Sequence, residues 1–243
     1  VFNYPFTYNN DSKKIKNLNQ GDIVIVPFGK KREIGVVWDK ISHTEKKFKL
    51  KKIEKKISNI GLNKKIIKFI NWFSIYNIVP KGLILKMCLG NLKNFEVKKK
   101  KQISKAEIKT TKYILNDEQK NALQNLTNLG NKFNVSVLQG ITGSGKTLVY
   151  FERISRLIQE NKQALILIPE IFLTTQFKNR FKLFFGFEPA IWHSKIGINK
   201  KKNIWLSVAK NKIKIVLGAR SALFLPFKKL GLIVVDEEHD SSY

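Results

Sequence analysis

Apolar positions along the chain fall into two regimes. In GDIVIVPFGKKREIGVVWD (21–39), two short β-rich runs flank a basic turn from Gly29 to Arg32, which predicts a small β module. KIIKFINWFSIYNIVP (65–80) carries apolar residues at Ile66, Ile67, Phe69, Ile70, Trp72, Phe73 and Ile75. That is a helical period with broad burial, closing near Pro80, and the helix is expected to cover the small sheet. The stretch 91–111 is strongly basic and lacks a core-forming period, so it reads as a linker.

After Asn116 the pattern becomes an alternation of strands and helices. VSVLQ (135–139), ALILI (164–168), AIW (190–192), IKIVL (213–217) and LIVV (232–235) are short, β-rich and apolar on both faces, as parallel strands covered by helices must be. Helices fit at about 146–160, 173–184 and 200–210. The fold class that follows is α/β: an open, mostly parallel sheet with helices on both sides, preceded by a β-rich domain. The expected division is 1–90, a linker over 91–113, and 114–243. No internal repeat is visible.

Length and composition narrow the class. With 243 residues, 43% of them hydrophobic, the chain can bury a core and accommodate two domains. No apolar run is long enough to span a bilayer. Val1 is not an initiator methionine, and VFNYPFTYNN lacks the basic head and apolar middle of a signal peptide, so a cut or processed start is expected. The single Cys88 cannot form an intrachain disulfide or a thiolate metal site, which fits a reducing cytoplasm and a core role. A balance of 46 basic against 18 acidic residues, net +28, favours a polyanionic partner. KKFKLKKIEKK (46–56) and KKKK (98–101) concentrate that charge. Only five of the basic residues are arginine, and Lys, Asn and Ile dominate throughout, so AT-rich codon usage is an alternative source of the excess.

Against this background two stretches carry chemistry. GITGSGKT, from Gly140 through Ile141, Thr142, Gly143, Ser144, Gly145 and Lys146 to Thr147, is a G-x-x-x-x-G-K-T loop between a predicted strand and a predicted helix. Its glycines let backbone N–H groups wrap phosphate oxygens, Lys146 reaches the β and γ phosphates of ATP, and the Thr147 hydroxyl can ligate Mg²⁺. About ninety residues on, LIVVDEEH delivers acids from a buried strand. Asp236 would hold Mg²⁺ directly or through water, and Glu237 would orient or deprotonate the attacking water. Glu238 and His239 complete the DEEH run. His239 either couples nucleotide state to a strand-binding surface or is an ordinary polar loop residue.

Two further positions keep two readings each. Gln119 in ILNDEQ could hydrogen-bond an adenine edge, or form a capping box with Asn116. In GARSALFLPF (218–227), Gly218 and Arg220 are expected to be exposed after a strand and suited to gripping a phosphate backbone, with a structural salt bridge of Arg220 as the alternative.

Read together, VPFGK (26–30), ITGSGKT (141–147), IPEIFLTTQ (168–176), HS (193–194), GARSALFLPF (218–227) and VDEEHDSSY (235–243) closely resemble the PriA family of replication restart helicases, also called primosomal protein N′. The resemblance covers nearly the whole chain. It implies a superfamily 2 DNA helicase that uses ATP and Mg²⁺ to unwind with 3′ to 5′ polarity at abandoned forks and prepares reloading of the replicative helicase. The implied partners are forked and single-stranded DNA, primosome proteins and single-strand-binding protein, in the bacterial cytoplasm with the nucleoid and without a membrane.

The resemblance places Phe2, Asn3, Gly29 and Lys51 in a pocket for the 3′ end of a nascent strand. The family usually has Asp at the slot of Asn3, so a carboxylate acceptor is lost there. Thr175 stands where proline is common, and Ala219 where threonine is. A winged-helix domain found in many relatives has no counterpart between Gly90 and Leu115. The family's second lobe, with its arginine finger and a cysteine-rich zinc insertion, would lie beyond Tyr243, so no zinc ligands are expected here. The chain then reads as the front portion of a longer protein, binding DNA and, weakly, nucleotide, with negligible turnover by itself. The rival readings are a superfamily 2 RNA helicase and a non-catalytic DNA-binding platform.

Overall fold

The computed structural model describes residues 4–10, 15, 17–39, 50–90, 113–130, 132–169 and 172–240, with backbone alone for Ser58 and Asn59. It separates into two compact units. The first gathers Val1–Lys101, Lys195–Lys210 and Phe224–Lys228, and the second gathers Gln102–Ser194, Asn211–Leu223 and Lys229–Tyr243.

In the first unit the expected hairpin is present. Strands β1 (Asp22–Phe28) and β2 (Lys31–Val36) pair antiparallel, with Phe28 opposite Lys31. Gly29 in the turn has φ +59°, a conformation glycine adopts without steric cost. A third strand, β3 (Lys55–Gly61), pairs with the other edge of β1 to give the order β2-β1-β3. Its first residues, Lys55 and Lys56, close the basic run KKFKLKKIEKK (46–56). Ile57 and Ile60 are buried along β3, while Lys56 pairs with Asp22 at 2.6 Å, so the lysines open a strand whose apolar positions face inward. Ile15, Leu18, Val24 and Val26 form the core beside the sheet.

Helix α1 (Lys64–Tyr76) starts where expected, because the Asn63 side chain accepts the Ile66 N–H at 3.0 Å. Its burial is narrower than the pattern implied. Ile67, Ile70 and Ser74 are buried, whereas Trp72, Ile75 and Tyr76 are exposed. A helix on a single layer can bury only one stripe, however many sides are apolar. The rings of Trp72 and Tyr76 stack on each other instead, with centroids 5.1 Å apart. A second helix that the pattern did not separate, α2 (Lys81–Leu89), follows Pro80. The later helix Ile198–Ala209 also belongs to this unit, where Trp205 Nε1 donates to the Cys88 carbonyl at 2.7 Å.

The second unit is an α/β lobe. Its elements are α3 (Asp117–Asn128), α4 (Lys146–Gln159), β4 (Gln163–Leu167), α5 (Thr175–Phe185), β5 (Ala190–Trp192), β6 (Ile215–Gly218) and β7 (Leu230–Val235), with the helix Ile198–Ala209, α6, lying between β5 and β6 in the chain. Four strands pair in parallel in the order β5-β6-β4-β7. Phe151 and Ile154 of α4 pack with Phe181, Phe184 and Phe185 of α5 over Ala164, Ile166, Ile215 and Leu217. Each such phenylalanine, isoleucine or leucine side chain contributes about 1.5–3 kcal/mol on burial. Gln163, fully buried at the start of β4, donates through Nε2 to the Ile213 carbonyl at 2.8 Å and accepts the Lys229 N–H at 2.9 Å. One side chain thus ties the entrances of β6 and β7 to β4.

Two expectations for this sheet are corrected. VSVLQ (135–139) is not a strand: residues 135–141 carry no ladder assignment, and Val135, Val137 and Ile141 are each more than 80% exposed. Strand propensity reflects packing against neighbouring strands, and no strand among the described residues pairs with this segment. Asn134 Nδ2 instead donates to the carbonyls of Leu129 and Lys132 at 3.0 Å each, holding the segment's start at the end of α3. Burial on both faces holds for β4 and β6 but not for β7, where Ile233 and Val235 are exposed because β7 is an edge strand.

Candidate functional site

The glycine loop and α4 form the base of the site. Gly143 and Gly145 have φ of +83° and +85°, values that a side chain would make costly. Gly145 is the residue before α4, and no side chain caps the helix there, so its first N–H groups remain available to an anion together with the positive end of the helix dipole. Lys146 folds back over the loop and donates to the carbonyls of Gly140 at 2.5 Å and Ile141 at 3.1 Å. Ser144 N–H meets the Ile141 carbonyl at 3.2 Å, and a Cβ on Gly140 would press against Ser144 Oγ. Ile141, Thr142, Gly143 and Ser144 form the turn itself.

Asp236 arrives from the other side. It follows β7 directly, and its N–H bonds to the Leu167 carbonyl at 2.9 Å, which carries the parallel register past the strand end. Gly218, Leu167 and Val235 lie level at the carboxyl ends of β6, β4 and β7, the edge at which open α/β sheets bind ligands. Tyr150 then links the two halves: its hydroxyl donates to Asp236 Oδ2 at 2.7 Å, and the Thr147 side chain, one helical turn earlier, acts on the same phenol. Burial first, and then the Asp236 carboxylate, holds the Tyr150 phenol well above its ordinary pKa, so the group stays a neutral donor. Two hard oxygens, the Thr147 hydroxyl and the Asp236 carboxylate, therefore meet one phenol. That donor set suits Mg²⁺, which takes one or two protein oxygens and fills its octahedron with phosphate oxygens and water. No group of three or more His, Cys, Asp or Glu able to hold a metal occurs among the described residues.

Glu237 follows with φ +55°, an unusual conformation for a residue with a side chain. His239 is exposed, with Nε2 3.6 Å from Glu237 Oε2. Glu238 lies in the same turn. Gln119 forms the capping box, with its N–H to Asn116 Oδ1 at 2.8 Å and its Oε1 accepting the Asn116 N–H at 3.1 Å. Its Nε2 also donates to the Ser144 carbonyl at 2.9 Å, so the cap of α3 is bonded to the phosphate loop. The sequence did not suggest that contact. Tyr150 was missed as well, although its position three residues after Thr147 puts the two on one helix face.

Gly218 is buried rather than exposed. A Cβ there would meet Ala222 Cβ at 2.6 Å and the Trp192 carbonyl at 2.8 Å, so a close approach demands glycine. Arg220 is exposed in the following 3-10 turn, and no ion pair engages it among the described residues. In the first unit, Lys51 Nζ donates to the Gly29 carbonyl at 3.4 Å, which brings together two of the four positions assigned to the 3′-end pocket. Phe6 packs edge-on against Phe28 beside that turn. Phe2 and Asn3 lie outside the described residues, as do KKKK (98–101) and most of the basic stretch 91–113.

Comparison with known proteins finds two family matches along the chain. Residues 2–90 match the family described as 3′DNA-binding domain (3′BD), and residues 112–243 match the family described as type III restriction enzyme, res subunit. The chain is 41% identical over 227 residues to the replication restart protein PriA of Rickettsia conorii, covering 93% of this chain and 34% of that protein. It is 42% identical over 137 residues to PriA of Bacillus subtilis (56% of this chain, 17% of that protein) and 48% over 130 residues to PriA of Helicobacter pylori (54% and 20%). It thus spans about a third of the length of the relatives that match it most fully. With a 3′ DNA-binding domain followed by a helicase-type P-loop lobe, the chain belongs to the PriA family of replication restart proteins.

Proposed function

We propose that this chain supplies the 3′-end-binding module and the first ATP-binding lobe of a 3′ to 5′ DNA helicase that binds abandoned replication forks and remodels them for primosome assembly. The observation that carries the reading is the hydrogen bond from Tyr150, on the helix that follows the glycine loop, to Asp236 at the end of β7, beside an uncapped helix start.

Lys146 exchanges the carbonyls of Gly140 and Ile141 for phosphate oxygens of ATP, and the N–H groups at the start of α4 receive the same phosphates. Mg²⁺, held by Thr147 and Asp236, neutralises phosphate charge when bound. Glu237 takes the proton of the attacking water or orients it. Gln119 reports on the loop through Ser144 and has its second Nε2 hydrogen for an adenine edge. Arg220 grips a phosphate of the tracked strand, while Gly29 and Lys51, with Phe2 and Asn3, receive the 3′ end.

Primosome proteins and single-strand-binding protein are the proposed partners of the whole protein, in the cytoplasm at the nucleoid. No helix among the described residues is long and apolar enough to cross a membrane. The test compares binding to a fork with a nascent 3′ end at the junction and to one without it, across a salt series. Bulk attraction by a +28 chain fades steeply with salt, whereas end discrimination should persist. Equal affinity for the two forks at every salt concentration contradicts the reading.

A further inference from the structure

Phe151 next to it shows that the core under α4 accepts a plain phenyl ring, yet residue 150 carries a hydroxyl. Tyr150 is only 6% exposed, its ring meets Phe151 edge-on at 5.2 Å, and its oxygen lies where the two halves of the phosphate site join. A buried phenol needs a hydrogen-bond partner, but a backbone carbonyl would suffice. The partner here is the carboxylate at the end of β7.

A phenol has one proton. Tyr150 gives it to Asp236 Oδ2, so towards the Thr147 side chain, which also acts on the phenol, its oxygen can serve only as an acceptor. The Asp236 carboxylate is thereby tied through Oδ2 to the helix that carries Thr147. Arg180 is the charged group on α5 that acts on the phenol.

We propose that Tyr150 is a positioning residue for divalent-cation binding, its hydroxyl holding the Asp236 carboxylate against the helix that carries Thr147 before nucleotide arrives. This rests on the nucleotide-site reading above and assigns a part of it to a residue outside the glycine loop and the DEEH run. Outer partners of metal ligands typically change metal affinity by roughly 10- to 100-fold when removed.

The test is Tyr150→Phe in this chain, which keeps the ring and removes the oxygen. A fluorescent ATP analogue is titrated at a series of Mg²⁺ concentrations and in EDTA. The Mg²⁺ concentration giving half-maximal enhancement should rise by roughly 10- to 100-fold, with affinity in EDTA unchanged. Superimposable Mg²⁺ titrations of wild type and variant overturn the positioning role and leave the nucleotide site standing. A wild type indifferent to Mg²⁺ overturns both. Should the variant fold poorly, 3-fluorotyrosine at position 150 of the wild-type sequence provides the readout. Its ¹⁹F resonance should move with Mg²⁺ and nucleotide together but not with nucleotide in EDTA, and a resonance that stays in place under both conditions overturns the positioning role.

Discussion

Replacing Gln163 with leucine tests how the sheet that presents Asp236 is held. The side chain is fully buried and makes two hydrogen bonds, to the Ile213 carbonyl at 2.8 Å and from the Lys229 N–H at 2.9 Å. Leucine fills similar volume but can make neither. A typical internal hydrogen bond contributes about 1 kcal/mol net, and a stranded buried partner adds to the loss. Ile213 and Lys229 are not fully buried, so the expected cost is about 2 kcal/mol. For a chain of this size that corresponds to roughly 4–8 °C in Tm, read by calorimetry or far-ultraviolet circular dichroism. Gln163→Glu should cost more, since it keeps an acceptor for Lys229 but buries a charge. Amides at the starts of β6 and β7 should exchange faster in both variants. A Gln163→Leu protein as stable as wild type would show that packing alone sets the strand entrances.

Gly145→Ala combines a backbone at φ +85° with a Cβ that would sit 2.5 Å from Gln119 Nε2. Strain of about 1 kcal/mol and loss of the Gln119–Ser144 bond should weaken nucleotide binding about tenfold or more while the rest of the lobe stays folded, measured by calorimetric titration. Burial pushes the Cys88 thiol up to about 12 from 9.0. Between those values the native state keeps a proton that the unfolded chain loses, so stability should fall as pH rises from 9 towards 12, and Cys88→Ala should flatten that slope in urea titrations. At pH 8 the native thiolate fraction is on the order of 10⁻⁴. Labelling by a maleimide should therefore be slow until denaturant is added.

How far the chain could be read from its sequence depended on how local each signal was. The loop from Gly140 to Thr147 and the acids after LIVV are contiguous, and their glycine and carboxylate chemistry is legible without coordinates. Helices α4, α5 and α6 follow from an apolar period, and β4 and β6 from unbroken apolar runs. What was not legible is relational. VSVLQ has the composition of a strand but no ladder partner among the described residues, and Lys55 and Lys56 open a strand whose buried positions, Ile57 and Ile60, lie beyond the basic run. Gly218 resembled a phosphate-binding glycine, while its actual constraint is the approach of Trp192 and Ala222. Tyr150 looked like one more aromatic on a buried helix until Asp236, 86 residues away in sequence, was placed beside it.

The central claim is that Thr147 and Asp236 flank one cation bound with a triphosphate at the start of α4. A crystal of the protein grown with Mn²⁺ and a non-hydrolysable ATP analogue tests it directly through anomalous scattering. The account predicts a peak at coordination distance from the Thr147 hydroxyl oxygen, with Asp236 reaching it directly or through one water, and phosphates on the N–H groups of the glycine loop. A nucleotide bound elsewhere, or a manganese peak remote from both side chains, would contradict it.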